Sequence, residues 1–167
     1  MHPYTPPPQT RILTAVTPDV LARLRRIIRR HELVPVKSAA EALRRLDDEN
    51  HFGLVLLSVH FEESQMFTLL GDIRAHSGYR KIPILCVLGG ERGRALSDVT
   101  IEGLDHAVKA MRANGFLDLQ HFDDDEAGNT RIERVVDYLI LIDGDLHHIA
   151  RVTGESVVPL ERRRSSA

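Results

Sequence analysis

Five short apolar runs, each followed by a segment with apolar residues at helical spacing, constrain this chain more than any other feature. They are RILTAV (Arg11 to Val16), the LVPV that opens Leu33 to Leu46, Leu54 to Leu57 ending in Ser58, IPILCVL (Ile82 to Leu88) and GFLDL (Gly115 to Leu119). Apolar strands alternating with helices about every twenty to twenty-five residues mark βα units around a parallel sheet. The expected class is therefore α/β.

The helical segments carry their own signals. Val20, Leu21, Leu24, Ile27 and Ile28 follow the i, i+1, i+4, i+7, i+8 pattern of one buried face, with Thr17 or Asp19 as the cap. Ser38 precedes a second helix with Glu41 three residues on, as in a capping box, and turns Ala42, Leu43 and Leu46 inward. A third helix runs from Met66 to Arg74. Leu104, Ala107, Val108 and Met111 place a fourth over about Thr100 to Ala113, behind a Gly-rich loop. HFDDDEAGN reads as an acidic loop, after which Thr130 caps a last helix with apolar positions Ile132, Val135, Val136, Leu139 and Ile140. Leu146 and Ile149 continue that period beyond Asp143-Gly144-Asp145.

Composition narrows the function classes. The 167 residues suit one domain with tails: a disordered proline-rich lead-in over 1–10, a body over 11–142, and a helical extension with a basic tail over 143–167. A formal net charge of −2 argues against a dominant nucleic-acid surface. No apolar run approaches the roughly 20 residues that span a bilayer, so no membrane contact and a cytoplasmic location are expected. The single cysteine, Cys86, lies within an apolar strand and reads as a small buried hydrophobe.

The run GLVLLSVHFEESQMFTLLGDIR, Gly53 to Arg74, places Ser58 at a strand's C-terminal tip before a polar loop and a helix. In open parallel sheets, binding sites form beyond such tips. The run resembles the third strand and following helix of bacterial response regulator receiver domains, where that strand ends in the phosphorylated aspartate. The remaining runs fall in receiver order, and the resemblance covers roughly Arg11 to Ile142. It implies a doubly wound five-stranded parallel sheet in the flavodoxin-like order 2-1-3-4-5.

The resemblance does not carry the family's chemistry. A receiver needs a carboxylate nucleophile, an acidic pair that holds magnesium, a hydroxyl ending the fourth strand and a lysine ending the fifth. Here Ser58 stands for the nucleophile, Val16 and Thr17 for the acids, Leu88 for the hydroxyl residue, and Leu119 or Gln120 for the lysine. Register shifts do not restore them. Asp19 is the one acid before Glu32, no Asp lies between Asp48 and Asp72, no Ser or Thr between Ile82 and Leu96, and no Lys follows Lys109. An apolar plug of Val16, Leu88 and Leu119 around Ser58 is expected, with no catalytic residue, metal or cofactor and less dependence on magnesium.

Other clusters have plainer readings. His60, Glu62 and Glu63 with Asp19 lack ligand spacing, and His121 with Asp123 to Glu126 fails the calcium-loop template. Arg23, Arg25, Arg26, Arg29 and Arg30 form a basic helix face without interleaved aromatics, best read as solvated and paired with acids. GGERG from Gly89 matches no phosphate-binding loop, and His147 and His148 point about 100° apart on a helix.

The expected function is a stand-alone receiver-like module, not an enzyme, that binds another signalling protein (a kinase, a response regulator or an effector) without being phosphorylated. The resemblance implies a docking or homodimer face on the fourth and fifth helices, here assigned to Ile132, Val135, Val136, Leu139, Leu146 and Ile149. The alternatives are a conventional phosphorelay receiver, and a small-ligand sensor using Ser58, Thr17 and Gly89-Gly90 at the strand tips.

Overall fold

Residues that alternate along each apolar run supply two opposite faces, so both sides of the sheet need covering. The computed structural model describes residues 4–48, 51–89 and 96–142. Its strands are β1 (Arg11–Ala15), β2 (Glu32–Pro35), β3 (Phe52–Ser58), β4 (Ile84–Leu88) and β5 (Gly115–Asp118). They form one parallel sheet in the order β2-β1-β3-β4-β5, the flavodoxin-like receiver order. Pro35 is accommodated because β2 is an edge strand and Pro35 is its last residue.

The helices are α1 (Pro18–Ile27), α2 (Ala39–Asp48), α3 (Met66–Ala75), α4 (Asp98–Ala110) and α5 (Glu126–Ile140), with a 3₁₀ turn at Leu119–His121. One face of the sheet, with Ile12, Leu54, Leu56 and Leu117, packs on α1 and α5. The other, with Leu13, Val55, Leu57 and Phe116, packs on α2, α3 and α4. The capping box forms in part: Ser38 Oγ accepts from Glu41 N at 3.1 Å, while Glu41 Oε2 accepts from Lys37 N at 2.8 Å.

Several expectations are corrected. α4 begins two residues earlier than its periodicity indicates, capped by Ser97, whose Oγ accepts from Thr100 N. α5 begins at Glu126, because Asp125 is the cap and its side chain accepts from Gly128 N at 2.7 Å. Thr130 lies inside that helix and donates to Glu126 O. A Cβ on Gly128 would stand 2.3 Å from the Asp123 carbonyl oxygen, so the acidic segment folds over a glycine to start the helix.

The described chain begins at Tyr4. The Tyr4 hydroxyl bonds Asp137 on α5, and Arg30 bonds the same carboxylate oxygen. His31 Nε2 reaches the other oxygen at 2.8 Å, with Thr10 N donating to His31 Nδ1. Burial and the Asp137 carboxylate hold the Tyr4 hydroxyl pKa above its ordinary value. Of the assigned partner face, Ile132, Val135, Val136 and Leu139 are buried against the sheet and cannot meet a partner. Leu146, Ile149, His147, His148, Gly90 and Gly93 lie outside the described residues.

Candidate functional site at the strand tips

β1 and β3 end side by side, with Ala15 opposite Leu57, and this brings Val16 and Thr17 against Ser58. Ser58 is 2% exposed. Its Oγ accepts a hydrogen bond from Thr17 N at 3.2 Å, which supplies the buried hydroxyl with a backbone partner. Val16, Leu88 and Leu119 are buried at the tips of their strands or just beyond. These five positions therefore lie at one end of the parallel sheet, the end beyond the strands' C-termini.

A Cβ on Gly89 would stand 2.3 Å from Val20 Cγ2, so glycine lets the first turn of α1 press on the tip of β4. The two residues offered for the lysine position differ in their surroundings. Leu119 packs into the core, while Gln120 Nε2 extends to Gly89 O at 3.4 Å. A neutral amide there bridges two strand tips without adding charge.

One residue at this end escaped the sequence reading. Asp118, the last residue of β5, is buried, and its Oδ1 accepts from Gln120 N at 3.0 Å. His121 Nε2 lies 3.3 Å from Asp118 Oδ2. The carboxylate thus caps the 3₁₀ turn, a task that the apolar run of β5, in which Asp118 sits, does not announce.

The β3–α3 loop takes an unusual path. Glu62, Glu63 and Ser64 have φ of 43°, 53° and 72°, three successive left-handed residues without a glycine. Two anchors hold this turn: Phe61 is buried beneath it, and Glu62 Oε2 accepts from Ala39 N at 2.6 Å on the first turn of α2. Glu62 is thereby committed to a helix N-terminus, where a carboxylate is favoured.

Magnesium, which the fold family implies, does not fit these residues. Val16 and Thr17 offer no carboxylate, and among the described residues no group of three or more His, Cys, Asp or Glu could hold a metal ion. The basic face of α1 is largely engaged. Arg23 donates to Leu119 O and Phe122 O at 2.6 Å each, Arg26 pairs with Asp124 at 2.6 Å, and Arg30 pairs with Glu133 and Asp137. Arg26 holds the Asp124 carboxyl below its usual range.

No family model and no curated protein matches the chain. Solved structures do match. The receiver domain of a two-component response regulator from Bacteroides fragilis superposes with a TM-score of 0.62 at 16% identity, covering 81% of this chain and 99% of that one. A response regulator from Hahella chejuensis gives 0.59 at 18%, covering 80% and 96%. The receiver domain of a sensor histidine kinase from Pseudomonas aeruginosa, with magnesium coordinated in its active-site cleft, gives 0.56 at 17%, covering 79% and 98%. At these identities the likeness is one of fold. No helix among the described residues is long and apolar enough to cross a membrane.

Proposed function

We propose that this chain is a receiver-like signalling module that carries no phosphoryl group and acts by binding another protein. The observation behind this reading is the state of Ser58: buried at the tip of β3 and bonded to Thr17 N, with no carboxylate at positions 16, 17 or 58. A serine hydroxyl without an adjacent base is a poor nucleophile near neutral pH. The partner is a kinase, a response regulator or an effector, and the module itself is not an enzyme.

The docking face moves outward from the four buried residues of α5. The large apolar side chains exposed on α4 and α5 are Val99 at 81%, Tyr138 at 41% and Leu141 at 65%. Solvated apolar groups such as these can join a partner's surface, or a second copy's, without disturbing the core.

An amide NMR titration with magnesium and then beryllofluoride tests phosphate blindness. The expected outcome is no saturable shift at Ser58, Leu88 or Leu119. Saturable shifts there would return the protein to the conventional phosphorelay class.

A further inference from the structure

A cleft of about 530 Å³ lies at the strand tips on the β2 side of the sheet, between α1, the tip of β2 and the β3–α3 loop. Its volume falls within the range of small-molecule sites, roughly 300–1,000 Å³. Val16, Leu21, Val36 and Phe61 give it an apolar floor, and Arg25 from α1 and Lys37 from beyond β2 also line it. Neither cation has an ion-pair partner among the described residues, whereas Arg23 and Arg26 on α1, and Arg30 just beyond its end, are each tied down. Glu62 also lines the cleft, but its carboxylate is bonded to the start of α2.

We infer that this cleft binds a small amphipathic carboxylate, with its apolar body on the floor and its head group between Arg25 and Lys37. The apolar floor supplies affinity through burial. A guanidinium and an ammonium in the lining favour an anionic head, because an Arg fork matches a carboxylate geometrically and Lys adds a point charge. The floor is held in place before any ligand arrives, since Phe61 sits under a turn that Glu62 pins to α2. A preformed site loses less affinity to ordering.

This inference does not depend on phosphate blindness, because its head-group contacts, Arg25 and Lys37, are not among the positions at which a beryllofluoride response would be read. The probe is 1-naphthaleneacetate, titrated against the full chain and followed by amide NMR, with 2-(1-naphthyl)ethanol as the neutral counterpart. Saturable shifts are expected at Val16, Val36 and Phe61. Binding should weaken at least tenfold for the alcohol, and at least tenfold in the Arg25→Gln/Lys37→Gln double variant, whose unperturbed spectrum elsewhere reports an intact fold. The inference is overturned by any of three results: no saturation at millimolar carboxylate, equal binding of the alcohol or by the double variant, or shifts centred on another face.

Discussion

Replacing Ser58 by aspartate would place an anion at a buried position where the fold offers one backbone N–H. Ser58→Asp is expected to destabilise the protein by about 2–3 kcal/mol at neutral pH without conferring a beryllofluoride response, read from a urea midpoint and the same NMR titration. Arg74 shows the opposite accommodation of a buried polar group. Its guanidinium donates to Arg112 O, Arg80 O, Ile82 O and Asn114 Oδ1 at 2.7–2.8 Å, tying α3 to the turns that precede β4 and β5. Arg74→Met strands those acceptors and should cost roughly 3 kcal/mol or more by the same measurement. Burial pushes the Cys86 thiol up to about 12. A raised folded-state pKa favours the neutral thiol. Its stabilisation is therefore complete below the unfolded value near 8.5 and is lost as pH rises toward about 12. Native protein should resist an aromatic disulfide reagent until urea exposes Cys86.

At the scale of elements, the start of α5 separates two readings of its cap. Asp125→Ala should lower stability by about 1 kcal/mol, whereas Thr130→Ala should fall within a few tenths, as paired melting curves would show. The β3–α3 turn invites the reverse experiment. Ser64 holds φ of 72° on an exposed loop, so Ser64→Gly relieves a left-handed residue and should stabilise by about 0.5–1 kcal/mol. Glu62 would not tolerate the same change, because its carboxylate joins that loop to α2. These caps and turns were the poorly legible part of the chain. A cap is one hydrogen bond decided by where the backbone bends, and both Asp125 and Thr130 had suitable side chains.

For the whole molecule, the sheet order and its two cores were legible because burial of both faces imposes a pattern on every strand and helix. The same requirement explains the misplaced partner face. Ile132, Val135, Val136 and Leu139 form a stripe, but the β3–β4–β5 side of the sheet needs that stripe as its cover alongside α1. That Val16, Leu88 and Leu119 are apolar is read from residue identities alone. The packing of Val20 on Gly89 and the burial of Asp118 were not legible, because they depend on distances between distant segments. With no fitted magnesium site, melting temperatures in EDTA and in millimolar magnesium should agree within about 1 °C, since a cation stabilises only through differential binding to the fold. The clasp between Tyr4 and Asp137, 133 residues apart, has a mechanical consequence. Tension applied between residue 4 and residue 142 meets this clasp before it meets the sheet. The strap should therefore peel first, as a small early lengthening in a force-extension trace, and leave the five strands still paired to bear the load.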